Sequence, residues 1–544
     1  MKSRRLVCLA LIITRATLHA QVPLPVPPPD KARLFVLTDI ANEPDDQESL
    51  VRLLAYANEF DVEGLVATTS TFLRGAPRED LIRKGIEAYG QVQKNLSVHA
   101  PGYPTATSLA AVAASGQTVF GIAGTGPGKG STGSNLLIAA ADKPDPRPLW
   151  VTAWGGSNTL AQALVDVRAT RTPEQVDAFV AKLRVYTISD QDDAGPWLRK
   201  EFPGLFYIVS PSNTDSSQFQ RATWTGISGD RFYQNSVSHV IDMVLNPWLE
   251  KNIISKGPLG AFYPRLSFIM EGDTPSFLGL INNGLGWSES PAYGGWGGRY
   301  VLYKDLGEPR AIWTDNRQSR DTVTSTDNGR TETSNFATIW RWREHYQNDF
   351  AARMDWSVTD DFTKANHNPV AVVNGDNTKK ILRLSGKVGE PLKLSAEGTR
   401  DPDAGQTLKY TWWVYTEASR GGGMLSNTDG PETEFTPAAG RGGRGGAGGG
   451  AGRAGAPAAA PAAGGAAPAV PAAVQASTGA QTAAAPATQP TAAAQAPSGT
   501  AAGAARGGRG GAASPSEVHV ILQVEDNGTP HLVSYRRIIV QVTP

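Results

Sequence analysis

Between Lys31 and Ala365, short apolar runs alternate with stretches of helical spacing. The run Leu34 to Leu37 predicts a strand, 45–58 a helix with Leu50, Leu53 and Leu54 on one face, and Gly64 to Ala67 a second strand. Apolar residues recurring every three or four positions mark a helix face, and a short continuous apolar run marks a strand covered on both sides, so the order reads as a βαβ unit. The pattern continues with a helix over 79–93, a strand over 149–154 and a helix over 157–167. Thr172, Pro173 and Gln175 supply an N-cap, a first-turn proline and a capping-box partner for a helix over 174–183. Apolar runs at 185–188 and 205–209 flank a short helix near Trp197. The expected fold class is α/β, a Rossmann-like, mostly parallel sheet with helices on both faces.

From Asn366 the texture changes to short alternating segments, as in Leu392 to Ala396, Tyr410 to Tyr415, Val518 to Val524 and Arg537 to Val542, with turn residues between them. Such alternation predicts a small all-β sandwich with Trp412 in its core. It is interrupted at about 420–514 by alanine, glycine and proline with GRGGRGG and ARGGRGG pieces. That composition buries too little apolar surface to offset its ordering entropy, so a disordered insert is expected there.

The N-terminus changes the picture of where the protein works. Lys2, Arg4 and Arg5 precede the apolar run Leu6 to Ile13 and the small residue Ala20, the layout of a signal peptide cleaved after residue 20. A secreted or periplasmic protein is expected, with no membrane span. Residues 21–30 are mostly proline and valine and read as an extended linker. The expected organisation is therefore leader 1–20, linker 21–30, α/β domain 31–365 and β-domain 366–544. The one cysteine, Cys8, lies in the leader, which removes disulfide and thiol chemistry from the mature chain. Lys plus Arg and Asp plus Glu both number 51, so nothing favours a polyanionic partner and nucleic acid is not expected. The seven histidines show no metal-ligand spacing. The glycine-rich GTGPGKGSTGS from Gly124 fails the phosphate-loop spacing, because Lys129 is followed by Gly130; it reads as a loop leading to a helix after Ser134.

Candidate chemistry gathers at the carboxyl ends of the strands, where open parallel sheets bind ligands. The first strand ends in Thr38-Asp39, and a helix begins near Pro44-Asp45-Asp46. Acids in a first helical turn also complement the helix dipole, which leaves a purely structural role open for Asp45 and Asp46. The other strands deliver Thr68-Thr69-Ser70-Thr71, Trp154-Gly155-Gly156-Ser157-Asn158 and Ser189-Asp190-Gln191-Asp192-Asp193 to the same edge. Clustered carboxylates without thiols or imidazoles suit a hard cation such as calcium. Glu271 or Asp193 would serve as an acid if burial raised its pKa. The aromatic residues Trp287, Tyr293, Trp296, Tyr300, Trp340, Trp342 and Tyr346 read chiefly as core, with carbohydrate stacking as the alternative.

TDIANEPDD resembles the N-terminal aspartate cluster D-x-D-P-G-x-D-D of nucleoside hydrolases, and GLVATTST, WGGSNTLAQAL and EGDTP continue the likeness in order over about 310 residues. The wording TDIANEPDDQESLVRLLAYAN, GGSNTLAQAL and EGDTPSFLGLINNGLG is closer still to a bacterial group described as cellulose-binding proteins with a nucleoside-hydrolase-like domain. The resemblance implies a calcium site from Asp39, Asp46, Asp273 and the backbone carbonyl of Asn158, with Asp45 as general base. Candidate substrate contacts are Asn42, Glu43, Ser70, Thr71, Asn158, Asp190, Asp192 and Asp193, and Glu271 is the candidate acid. This sequence departs from the family in three places: the turn from Asp39 to Asp45 is two residues longer, the asparagine after the second strand is missing, and Gly272 stands where many members have histidine. In the C-terminal part, AEGTRDPDAGQTLKYTWWVY and VILQVEDNGTP are similar to immunoglobulin-like and polycystic-kidney-disease-type domains of secreted glycan enzymes, and Asp401, Asp403 and Asp526 would be a second calcium set. Two functions follow as expectations: hydrolysis of an N-glycosidic or related glycosidic bond of a nucleoside or small sugar, or binding of cellulose or another polysaccharide without turnover. The sequence leaves room for a homo-oligomer.

Overall fold

The structure, a computed structural model, describes residues 31–41, 43–212, 219–234, 238–267, 269–304, 306–315, 318–439 and 516–543. The expected leader, the proline-rich linker, Asn42 and positions 440–514 of the expected insert lie outside the described residues. Within the span expected to begin that insert, 422–425 and 432–438 are strands.

The main sheet has eight strands: β1 (Ala32–Thr38), β2 (Phe60–Ala67), β3 (Ala113–Ser115), β4 (Leu149–Ala153), β5 (Leu183–Ser189), β6 (Phe206–Ser210), β7 (Val301–Tyr303) and β8 (Ile312–Thr314). Their order is β3-β2-β1-β4-β5-β6-β8-β7, parallel except for the β7–β8 pair. Chain order reverses between β1 and β4, so the helices that follow these two strands leave on opposite faces and open a crevice at their carboxyl ends. Both faces are covered. Leu34 and Val36 of β1 pack with Leu50, Leu54 and Ile86 from α1 (Pro44–Ala55) and α2 (Glu79–His99). Phe35 and Leu37, pointing the other way along the pleat, pack with Leu137, Leu160, Phe179 and Leu198. These come from α4 (Thr132–Asp142), α5 (Asn158–Thr170), α6 (Pro173–Ala181) and α7 (Ala194–Glu201), a short α3 (Ala106–Ala110) having intervened.

Local signals set the helix starts. Thr172 and Gln175 form the predicted reciprocal capping box. The same device, built from Ser131 and Ser134, begins α4 at Thr132, earlier than the sequence suggested, because serine at the fourth box position stands in for the usual Glu or Gln.

The C-terminal part is a sandwich. One sheet runs β11 (Leu382–Lys387), β17 (Val533–Thr543), β16 (Ser516–Glu525), β13 (Lys409–Val414); the other runs β12 (Leu392–Ser395), β15 (Glu432–Ala438), β14 (Gly422–Leu425). Trp412, Leu394, Phe435 and Val520 share its core. The sandwich packs directly on the α/β part. Arg537, fully buried, donates to the carbonyls of Leu285 at 2.6 Å and Gly294 at 2.8 Å. Trp296 lies in this seam, only 2% exposed, against Tyr346 and Tyr535. Trp287, Tyr300, Trp340, Trp342 and Tyr346 are likewise buried. These aromatic residues act chiefly as packing that holds the protein together.

The seam also carries a titrating contact. His531 Nε2 stands 3.2 Å from Glu344 and 3.5 Å from Glu525, and the Glu344 hydrogen bond chiefly raises its pKa. A raised histidine contributes stability below its unfolded pKa of about 6.5 and loses it as pH climbs through the folded value. We expect the melting temperature of wild type to fall more between pH 6 and pH 8 than that of His531→Gln, by a small margin because both partners are partly solvated. Parallel curves for the two proteins would refute the contact's role.

Candidate functional site

The crevice predicted by the strand order is where the acids meet. Asp39 directly follows β1 and is buried; Asp45 and Asp46 occupy the first turn of α1, which Pro44 opens. Thr38 ties strand end to helix start: its hydroxyl donates to Asp46 Oδ1 and accepts from the Ile40 amide. The longer turn between them passes through Ala41 at φ 105°, a conformation costly for a residue with a Cβ and held by the elements on either side. Asp273 arrives from the far side, in the loop before the short helix Pro275–Leu278.

One oxygen each from Asp45, Asp46 and Asp273 can lie within 4.8 Å of one another, the one such group among the described residues. Asp45 Oδ1 and Asp273 Oδ2 are shielded from solvent without a hydrogen-bond partner. Burial, with the neighbouring acids adding to it, pushes Asp39 up to about 7 and Asp45 up to about 8, and holds Asp46 and Asp273 well above the carboxylate range. Unpaired buried carboxylates at this spacing are unfavourable unless protonated or neutralised. The donor set, all carboxylate oxygen, fits a hard divalent cation. Asp39 borders this group, as its electrostatic coupling to the other three acids records. Its carboxylate accepts from Ser70 and packs against Gly155, where a Cβ would come within 2.6 Å of Oδ1. Glycine after β4 is therefore required for the two strand ends to close on each other.

Beside the acids lies a cavity of about 290 Å³. Glu43, Asp45 and Asp273 line it together with Phe72, Phe219 and Trp224, Gln191 and Gln220, and the aliphatic Ile188 and Ile269. Phe219 packs edge-on against Phe72 at 5.7 Å and Trp224 at 6.4 Å. Sequence reading missed this aromatic wall, since its three members come from a loop and from helical turns too short to show a periodic pattern. Gln191, between two acids that bond elsewhere, is the residue of this loop that lines the cavity.

Several expected contacts have other employment. Asp190 forms a buried bidentate pair with Arg199, at 2.8 and 2.9 Å. Asp192 accepts from the backbone N–H groups of Asn158 and Ala194, and Asp193 from that of Ile122. All three organise loops and none lines the cavity. The Asn158 side chain is spent on Thr68, Thr69 and the Val119 carbonyl at the start of α5. Ser70, besides holding Asp39, accepts from the amides of Phe72 and Leu73 and so places Phe72; the Thr71 amide bonds the Gln191 carbonyl. Glu271, the expected acid, is fully buried at φ 51° and satisfied by Arg52, Tyr263 and Thr274. It is a structural anchor. At Gly272 a Cβ would stand 2.7 Å from Asp45 Oδ2 and 3.1 Å from the Trp224 ring, so this pocket has no room for a histidine there. In the sandwich, Asp403 is bonded by His367 and Asp526 by Asn366 and a tight turn; Asp401, whose Oδ2 is buried without a hydrogen-bond partner, feels both acids, but among the described residues the three do not converge within 4.8 Å as the aspartate cluster does.

Comparison with known proteins agrees with this fold. The family model described as cellulose-binding Sde182, nucleoside hydrolase-like domain, matches residues 33–300. A second, described as cellulose-binding protein Sde0182, C-terminal domain, matches 391–442 and 469–542. A solved nucleoside hydrolase-related protein from Saccharophagus degradans, associated with carbohydrate metabolism, aligns at 31% identity and a TM-score of 0.69, covering 94% of this chain and all of that one. An effector protein aligns at 10% identity over 60% of this chain and 94% of its own, with a TM-score of 0.27, too low to bear on the fold. No curated protein matches.

Proposed function

Because the chain belongs to the Sde182 family, with its nucleoside-hydrolase-like domain and its own C-terminal domain, we propose that its acidic pocket hydrolyses a glycosidic bond of a small sugar or nucleoside-like substrate, with calcium in the aspartate cluster. The observation that carries this reading is the pair of solvent-shielded, unpartnered oxygens on Asp45 and Asp273 beside an aromatic-walled cavity. Asp45, Asp46 and Asp273 would hold the cation, with Asp39 supporting them through Ser70. Bound there, calcium would supply positive charge that keeps the carboxylates ionised and orders sugar hydroxyls. Asp45, at the cavity edge, removes a proton from the water whose oxygen bonds the anomeric carbon as the glycosidic bond breaks, and the departing group is protonated by water; Phe72, Phe219 and Trp224 offer ring faces to that leaving group. The leader expected from the sequence would carry this activity outside the cytoplasm; no helix among the described residues is long and apolar enough to cross a membrane.

Binding of polysaccharide without turnover is the second reading. It is favoured by the sequestration of Glu271, which leaves Glu43 as the remaining carboxyl at the cavity outside the aspartate group. The family description, cellulose-binding, points to the same ligand class.

Assay of nucleosides and short glycans for released sugar, with and without chelator, separates the two. We expect release that needs calcium and that falls by at least about a thousandfold in Asp45→Asn, the scale of losing a proton acceptor. Release that survives Asp45→Asn would move the role to Glu43. No release from any substrate, with cellulose retained, would establish the binding reading.

A further inference from the structure

A second cleft, of about 470 Å³, opens where the α/β part meets the sandwich, and it shares no lining residue with the acidic cavity. Its walls are β9 (Asp321–Thr324) with Thr326 of the turn that leads from it to β10 (Thr331–Ser334), the start of the helix Arg343–Ser357, and strands β13 and β16. That volume lies within the range of small-molecule sites, about 300–1,000 Å³.

Alternation along β13 sends Trp412 into the sandwich core and Trp413 out towards the α/β part. Trp413 is half-buried and its ring is fixed by Tyr415 at 5.2 Å, Trp342 at 5.9 Å and the Arg341 guanidinium at 4.9 Å. Asp321 holds Arg341 in turn, at 2.8 Å. The polar groups around the ring are equally constrained. Glu344 is set between His531 at 3.2 Å and His239 at 3.7 Å, and Glu525 lies near His531 and 3.6 Å from Lys409. Gln523 completes the strand face.

An aromatic ring locked in place, ringed by ordered carboxylate, amide and ammonium groups of balanced charge, matches a flat, uncharged ligand dense in hydroxyls. The cations and acids here are already paired with one another, so a charged ligand would have to break those pairs, and an apolar segment would desolvate them without replacing their bonds. Little side-chain entropy remains to be lost on binding. We propose that this cleft binds an uncharged oligosaccharide, with a sugar ring on Trp413 and hydroxyls bonded to Glu344, Gln523 and Lys409. The proposal rests on the saccharide reading above for its choice of probe.

Titration of the full chain with cellotetraose, followed by calorimetry, tests it. Trp413→Ala should weaken binding about tenfold or more, as expected for loss of a stacked aromatic. Thr326→Trp, which fills the cleft from the exposed hairpin without altering the packing of Trp413, should weaken it as well. Asp45→Asn and chelation should leave the affinity unchanged. Wild-type affinity in Thr326→Trp overturns the proposal, as does the absence of any binding. Affinity lost in Asp45→Asn or with chelator would place the saccharide in the acidic cavity, overturning the cleft while sustaining the proposed function.

Discussion

Calcium added to chelated protein is expected to raise the melting temperature by several degrees and to flatten its dependence on pH. Without the ion, burial raises Asp39 to about 7 and Asp45 to about 8, with Asp46 and Asp273 also well above an unfolded value of 3.8. The folded chain then binds more protons than the unfolded one between these limits, so stability is greatest below the unfolded pKa and is lost as pH rises through the folded values. A cation replaces those protons. At a thousandfold excess over its dissociation constant it would contribute about 4 kcal/mol, and the loss towards pH 8 should largely disappear. Asp46→Asn or Asp273→Asn should abolish the calcium-linked rise and shrink the pH slope of the chelated protein. Calorimetric scans from pH 5 to 8, with calcium and with chelator, read both effects; superimposable scans would exclude a cation from the cluster.

Arg52→Met is expected to cost about 3–5 kcal/mol, the range for breaking a buried ion pair by removing one partner. Arg52 is fully buried on the helix that carries Asp45 and Asp46, two turns further along. It forms a fork on Glu271, with Nη2 at 3.1 Å from Oε1, and also bonds Gln347 and the Tyr346 carbonyl. Glu271 sits at φ 51°, and its amide donates to Glu48 at 2.8 Å. A non-glycine residue in that region persists only when its surroundings hold it there. Two residues on, Asp273 completes the acid group, so one helix supplies two acids and anchors the third. Arg52→Met should therefore lower calcium affinity as well as stability. The double variant Arg52→Met with Glu271→Met should recover much of the stability, because no unpaired charge remains, yet not the calcium affinity. Unfolding midpoints and calcium titrations on both variants provide the check; full calcium affinity in the double variant would reduce the pair to a stabilising role.

Much of the fold could be read in the chain because its signals are local. Apolar runs covered on both faces gave β1, β2, β4, β5 and β6, and Thr172-Pro173-Gln175 marked the start of α6. Alternation around Trp412 gave the sandwich strand that buries it. β3, β7 and β8, each only three residues long, carry too little periodicity to stand out. The helical turns between 223 and 278, four or five residues each, are nearly as short.

The acids of the candidate site were visible as residue types at strand ends, because strand direction and βα order dictate which edge they occupy. Which of them face one another was not. By residue type and place Asp190, Asp192 and Asp193 are as available as Asp45, and Glu271 reads as a candidate acid. Only the tertiary structure supplies Arg199, one strand-to-helix turn on from Asp190, and Arg52, more than two hundred residues from Glu271, as partners that turn these acids into anchors. The same holds for Trp296, whose surroundings depend on a strand more than two hundred residues away. A sequence determines how often a side chain recurs on a face and which way a strand runs, both set by backbone geometry over a few residues. Pairing, burial and the space left for a ligand depend on contacts between segments far apart in the chain, and packing alone decides those.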